Sequence, residues 1–158
     1  MKLVDRIEKY IINSSKKIKI NSKDIKKNDV FLALEGSNNH GNKYINEALN
    51  AGVKYCITDK EFRNLKRSNR ILLVKNIEKF LIYLSEKKRL SYNGQVVGIT
   101  GSAGKTSLKE YLKFFLGKKF KVSASIKSYN NNLGVMISIL NMNLKSDYAI
   151  FEMGTNNF

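Results

Sequence analysis

Gln95-Val-Val-Gly-Ile-Thr-Gly-Ser-Ala-Gly-Lys-Thr-Ser107 is the stretch on which the fold turns. Its opening, Gln95 to Thr100, is mostly apolar and of strand length. A glycine-rich turn follows. Beyond it Leu108, Tyr111, Leu112, Phe115 and Leu116 recur at helical spacing, which predicts a complete apolar helix face closed by Gly117. Strand, glycine turn and helix in that order begin a crossover unit, so the expected class is α/β with a parallel sheet. The turn also has a chemistry. Backbone N–H groups there can converge on phosphate oxygens, helped by the positive end of the helix. Gly101 and Gly104 let the backbone come close, Lys105 offers a point charge to the β- and γ-phosphates, and the Thr106 hydroxyl can ligate Mg²⁺. Thr100, Gly101, Ser102, Ala103, Gly104, Lys105, Thr106 and Ser107 are thus the candidate nucleotide-binding residues. The strict phosphate-loop pattern would place a glycine where Ile99 stands, and a chance glycine turn carrying a lysine is the alternative.

Downstream, Phe120-Lys-Val122 predicts a short strand and Gly134 to Asn141 a helix. Tyr148-Ala-Ile-Phe151 predicts a buried strand ending in Glu152, close to the end of the chain and with few partners to cover it. Ligands of open α/β sheets bind at the carboxyl ends of the strands, and a buried carboxylate is expensive unless paired or on a metal. Glu152 is therefore the second candidate Mg²⁺ ligand, and is expected to matter more for turnover than for the fold.

Upstream lies a different rhythm. Leu3, Val4, Ile7, Tyr10 and Ile11 share a helical face, and Ile18 to Ile20 reads as a short strand. Val30 to Leu34, Lys54 to Thr58 and Ile71 to Val74 read as further strands, with a helix marked by Tyr44, Ile45, Ala48 and Leu49. His40, the only histidine, reads as a solvated loop residue beside Ser37-Asn-Asn39. A helix with Asn76 as N-cap carries Ile77, Phe80, Leu81 and Leu84, and the polar Ser91-Tyr-Asn-Gly94 suits a linker. Two domains are expected, residues 1–90 and 95–158.

The chain of 158 residues is 42% hydrophobic, enough to build a core, and its longest apolar runs are far too short to span a bilayer. Its charged N-terminus has no apolar segment behind it that would make a cleaved signal, and Cys56 is the single cysteine, so no intramolecular disulfide forms. A cytoplasmic protein with no membrane partner is expected. The net charge of +16 raises the alternative of a basic nucleic-acid-binding module, but the lysines scatter along the chain without a block or a nucleic-acid motif.

Thr100-Gly-Ser-Ala-Gly-Lys-Thr106 resembles the shortened phosphate loop of the Mur ligases and their folate-linked relatives. Lys127-Ser-Tyr-Asn-Asn-Asn-Leu-Gly-Val135 and Ile150-Phe-Glu-Met-Gly-Thr-Asn-Asn157 resemble the forms found in the MurF branch of that family. Asn21-Ser-Lys23, Asp29 to Gly36 and His40-Gly-Asn-Lys-Tyr-Ile45 are similar to motifs of its UDP-binding domain, with Asn21, Lys23, His40, Asn42 and Met136 departing from the usual residues. The resemblance covers nearly the whole chain. It implies a small N-terminal α/β UDP-binding domain followed by the start of a parallel-sheet, phosphate-loop central domain. It implies an ATP- and Mg²⁺-dependent ligase of peptidoglycan synthesis, serving cell wall, cell shape and division, and monomeric when complete. Such an enzyme adds D-alanyl-D-alanine to a UDP-N-acetylmuramoyl tripeptide; a sibling adding a single amino acid is the alternative. Lys105 and Glu152 would serve catalysis, Thr106 and Glu152 the metal, and Ser22, Asn130 and Asn131 the substrate, with Asn130 and Asn131 alternatively capping a helix. The family's carbamylated lysine and its adenine and dipeptide contacts lie further along than Phe158, so the chain is expected to be incomplete and inactive alone.

Overall fold

The computed structural model describes residues 1–15, 17–36, 39–61, 68–126 and 130–154. Ser37 and Asn38 of the expected loop, and the Lys127–Tyr129 and Thr155–Asn157 parts of the two downstream motifs, lie outside the described residues. The chain forms two compact units, Met1–Leu81 and Ile82–Phe158, each with a parallel sheet.

In the first unit, helix α1 (Leu3–Asn13) precedes strands β1 (Ile18–Lys19) and β2 (Val30–Ala33). Helix α2 (Ile45–Asn50) and strands β3 (Tyr55–Thr58) and β4 (Ile71–Leu73) follow. The strands pair in the order β1-β2-β3-β4, all parallel. Every residue of β2 and β3 is buried, as a parallel sheet covered on both faces requires. Strand alternation divides them. Phe31, Ala33 and Cys56 pack with Ile45, Ala48 and Val53. Tyr55, pointing to the other face, meets Tyr10 of α1 edge to face with ring centroids 5.5 Å apart. The buried Asp29 carboxylate accepts the amides of Lys17 and Lys26, each at 3.0 Å, and so fixes the entries to β1 and β2 together.

His40 overturns the solvated-loop reading: it is 8% exposed. Its Nδ1 accepts the amide of Asn42 at 3.0 Å, which leaves the ring proton on Nε2, 3.1 Å from the Asp59 carboxylate. The Asn42 side chain donates to the carbonyls of Lys60 and Glu61. A ring nitrogen that caps a 3₁₀ turn, Gly41–Tyr44, and a second that reaches a carboxylate repay the burial of the imidazole. These bonds stitch the loop after β2 to the loop after β3, at the carboxyl edge of the sheet. Gly41 is required here by space, since a Cβ would fall 2.9 Å from the backbone nitrogen of Leu34.

The boundary between the units falls inside helix α3 (Ile77–Leu90), which Asn76 caps through the amide of Lys79 at 2.8 Å. The second unit continues with β5 (Gln95–Ile99), α4 (Lys105–Gly117), β6 (Val122–Ala124), α5 (Asn132–Leu140) and β7 (Tyr148–Glu152). Its strands are parallel in the order β5-β7-β6. The buried Lys88 of α3 donates to Leu140 O at the carboxyl end of α5, 2.7 Å away, where a cation also suits the helix dipole.

Three expectations are corrected in this unit. Tyr148–Phe151 is not a poorly covered terminal strand. It is the central strand, paired on both edges, with Ala149, Ile150 and Phe151 buried. Ser91–Gly94 is not a free linker, since Tyr92 is 3% exposed and packs with Met142, Ala149 and Phe151. An aromatic ring beside a sheet contributes more buried as core than exposed in a tether. Finally, only part of the apolar face read for α4, Leu112 and Leu116, faces the sheet. Leu108, Tyr111 and Phe115 are 49%, 63% and 61% exposed, while the inward stripe is Lys105, Lys109, Leu112 and Leu116. The turn at Gly104 fixes where the helix starts and hence its rotation, and it brings the two lysines round to the sheet. In a smaller shift, β6 begins at Val122, and Phe120 packs its ring against Tyr148 instead.

Cys56 yields a test of the first unit. Burial pushes its thiol up to about 12, against a smaller opposing effect of the Arg70 charge. The thiolate is the reactive form. An aromatic disulfide reagent at neutral pH is expected to label the native chain at least roughly a thousandfold more slowly than the chain in denaturant. Labelling at comparable rates would show that this core does not form.

Candidate functional site

The second unit brings the ends of three elements together at the carboxyl edge of its sheet. From β5 the chain enters a turn in which Gly101 has φ 142° and Gly104 φ 76°. A Cβ at Gly104 would meet nothing within 4 Å, so the demand there is conformational, not steric. The first helical bond of α4 runs from the Leu108 amide to Gly104 O at 2.9 Å. The amides of Lys105, Thr106 and Ser107 therefore belong to the first turn, whose N–H groups have no partner within the helix and point out of its positive end. Ser102, Ala103, Gly104, Thr106 and Ser107 are exposed, as is Thr100. The Lys105 ammonium folds back across the turn and donates to Gly101 O at 2.5 Å.

Beneath this turn lies Glu152, the last residue of β7 and 2% exposed. Its Oε2 accepts from Thr106 Oγ1 at 2.9 Å and from Lys109 Nζ at 3.4 Å, and its Oε1 accepts from Asn130 Nδ2 at 3.3 Å. Its amide donates to Ser125 Oγ at 3.2 Å. Burial would raise the carboxyl's pKa, but the bonds from Thr106 and Lys109, the Lys109 charge and the bond from Asn130 together hold it below its ordinary value. Alternation along β7 accounts for the placement: Ala149 and Phe151 face Tyr92 and Met142, so Glu152 faces the other way, onto α4.

The two neighbouring asparagines separate in role. Asn130 touches Glu152 through its side chain and receives the Gly154 amide on its carbonyl at 2.5 Å. Asn131 caps α5, its Oδ1 accepting the Gly134 amide at 2.8 Å. Ser22 stands in the first unit, half-buried, opening the 3₁₀ turn Ser22–Asp24 that follows β1. The turn is capped by Asn21, whose Oδ1 accepts the Lys23 amide at 3.0 Å. Like the stitched loops around His40, it lies at the carboxyl edge of its sheet, where α/β sheets take ligands.

Sequence reasoning missed Lys109 and Ser125. The signal for Lys109 was its position: one turn beyond Lys105 and in line with Leu112 and Leu116, a stripe that buries an ammonium only against a carboxylate. Ser125 left no trace, because a hydroxyl beyond a short strand is ordinary loop chemistry.

Residues 15–90 match the Mur ligase family, catalytic domain, and residues 99–158 the Mur ligase middle domain. The UDP-N-acetylmuramoyl-tripeptide--D-alanyl-D-alanine ligase of Rickettsia prowazekii is 40% identical over 139 residues, which is 88% of this chain and 30% of that one. The UDP-N-acetylmuramoyl-L-alanyl-D-glutamate--2,6-diaminopimelate ligase of Wigglesworthia glossinidia brevipalpis is 33% identical over 76% of this chain and 26% of its own length. Among solved structures, the MurF ligase of Thermotoga maritima in complex with ADP superposes with a TM-score of 0.74 at 33% identity, over 93% of this chain and 33% of that one. The chain thus spans about a third, or less, of the relatives it matches.

The buried pair Lys109–Glu152 gives the carboxylate a part in the fold that its position in the sequence did not suggest. The native pKa of Glu152 lies below the unfolded one, so its contribution to stability is full above the ordinary carboxyl range and is lost as the pH falls through the native value. Glu152→Gln also leaves the Lys109 ammonium without its carboxylate. Urea unfolding is expected to show the variant less stable by about 3 kcal/mol at pH 7, the gap narrowing as the pH falls towards 4 and below. A gap independent of pH would contradict this.

Proposed function

Because this chain belongs to the Mur ligase family, we propose that it supplies two parts of an ATP-dependent ligase: the unit that holds the UDP end of a substrate, and the phosphate-binding start of the ATP unit. The reaction proposed for the whole protein joins D-alanyl-D-alanine to a UDP-N-acetylmuramoyl tripeptide in peptidoglycan precursor synthesis. The single observation that carries the ATP part is the convergence of Thr106 and Glu152 beneath the turn that Lys105 crosses.

In this reading the γ-phosphoryl group of ATP passes to the terminal carboxylate of the tripeptide and ADP leaves. The dipeptide amine then attacks the acyl phosphate, phosphate departs, and an amide remains. Phosphoryl transfer needs little covalent chemistry from the protein and much positioning and charge neutralisation. The first-turn amides of α4 hold the phosphate oxygens. Lys105 exchanges its bond to Gly101 O for the phosphates and neutralises charge that grows on them. Glu152 is ionised, and Lys109 and Asn130 hold it aimed beneath the turn.

Mg²⁺ fits the donors present, since Thr106 Oγ1 and Glu152 Oε2 are hard oxygens 2.9 Å apart. Among the described residues no group of three or more His, Cys, Asp or Glu could hold a metal. The remaining ligands would therefore come from phosphate and water, which is how Mg²⁺ is commonly held in nucleotide sites. Bound there, it would neutralise charge on the transferring phosphoryl group.

The first unit, by this proposal, binds the UDP end through the carboxyl-edge loops that include Ser22, and takes no part in phosphoryl transfer. No helix among the described residues is long and apolar enough to cross a membrane. We place the protein in the cytoplasm, where ATP and the UDP-linked precursors meet, and as a monomer when whole. The similarity to the diaminopimelate ligase keeps a second reading, a sibling that adds a single amino acid.

Two measurements test these assignments. Lys105→Ala removes one charge-assisted hydrogen bond to phosphate. It is expected to weaken ATP binding roughly 10- to 100-fold in calorimetric titration, while the melting temperature stays put. Equal affinity in both variants would remove the phosphate-loop assignment. Ser22→Ala is expected to weaken binding of a UDP-muramoyl ligand and to leave ATP binding alone; the reverse would exchange the roles of the two units.

A further inference from the structure

Lys109 is fully buried, at 0% exposure, on the inward stripe of α4. Its ammonium lies 3.4 Å from Glu152 Oε2, the same oxygen that Thr106 reaches at 2.9 Å. It also lies 3.7 Å from Oε1 of the half-exposed Glu110. Given Thr106 and Glu152 as the metal ligands proposed above, on which this rests, we propose that Lys109 is a positioning residue that acts as the internal counter-ion of Glu152. It keeps the metal site closed to free divalent cations, so that the cation enters together with the nucleotide.

The charges around the site argue for it. Two carboxylates, Glu152 and Glu110, stand against three ammonium groups, Lys105, Lys109 and the Lys113 that lies 3.6 Å from Glu110. The cluster carries no net negative charge to attract a bare cation, and repulsion from a desolvated ammonium acts at short range with little screening. A nucleoside triphosphate changes this balance. Its phosphates draw Lys105 away from Gly101 and add several negative charges beside Thr106, so a divalent cation arriving with them meets oxygens on both sides. Throughout, Lys109 holds Glu152 in one orientation from below. Since Asn130 fixes the other carboxylate oxygen, the ligand's aim survives when the Thr106 hydroxyl turns from Glu152 to the cation.

The outcome is read by counting free Mn²⁺, a spectroscopically visible stand-in for Mg²⁺, by its paramagnetic resonance in the presence of the chain, with and without ATP. Measured against a protein-free solution of the same ATP concentration, since ATP itself binds Mn²⁺, the wild-type chain is expected to bind Mn²⁺ at least roughly tenfold more tightly with ATP present than Mn²⁺ alone. Lys109→Met keeps the length and removes the charge, and is expected to tighten binding of Mn²⁺ without nucleotide by roughly tenfold or more. Adding Glu152→Gln to that variant should abolish the gain. Should Lys109→Met lose its cooperative melt, Lys109→Gln, which keeps a neutral donor for Glu152, takes its place. Tight binding of free Mn²⁺ by the wild-type chain, or unchanged affinity in the charge-removing variant while Mn²⁺–ATP still binds, overturns the counter-ion role. Absence of any Mn²⁺ binding beyond that of ATP alone, in every variant, overturns the metal site itself, and the counter-ion role with it.

Discussion

A carboxylate taken out of water has to be met on every side, and that demand at Glu152 organises the second unit. Thr106 and Lys109 come from one helix and Asn130 from the loop before another, while Ser125, from the chain beyond an edge strand, accepts the Glu152 backbone amide. None of the three that reach the carboxylate can shift by a residue without leaving a buried charge less well answered, at a cost of several kcal/mol. Specification of this kind is distinct from stabilisation. A well-packed apolar cluster tolerates rearrangement, whereas a buried ion with three named partners accepts one register of β7 against β5 and β6. The same contacts that fix the fold thereby leave an ionised oxygen at the mouth of the phosphate turn.

Much of this was legible in the sequence, and for identifiable reasons. The turn from Thr100 to Ser107 announces itself because glycines, a lysine and a hydroxyl at fixed spacing serve one chemistry between a strand and a helix. Glu152 stood out because an acid ending an apolar strand is rare without a partner. The strands of the first unit were readable because continuous apolar runs bounded by polar turns suit a sheet covered on both faces. The faces of α1 and α3 were read correctly, with Ile7, Ile11, Ile77, Leu81 and Leu84 buried, but that of α4 was not. Periodicity marks the apolar stripe of α4 but not whether a sheet lies under it, and a lysine pair won that side. Tyr92 and His40 were misjudged for a related reason. Neighbouring polar residues suggested loops, while the ring of each found a long-range partner in the fold: Ser146 and the β7 core for one, Asp59 for the other.

The two units use the carboxyl edges of their sheets differently. In the first, the loops are bound to each other through His40, Asn42 and Asp59. In the second, the turn is open and its amides face outward, suited to a ligand whose charge completes the site. Loops tied to one another and an open turn suit the proposed division between holding a large substrate and admitting a nucleotide.

Strand order also carries a consequence for how the chain is made. In the first unit each strand pairs with the one synthesised just before it, so the sheet can grow as the polypeptide emerges. In the second, β7 sits between β5 and β6, and these flanking strands have no neighbour to zip onto until it arrives. At about 5–20 residues per second, the roughly fifty residues between the end of β5 and the end of β7 keep that half of the nascent chain waiting for several seconds. During that interval the turn from Thr100 to Ser107 has no strand beneath it, and Lys109 has no Glu152 to meet.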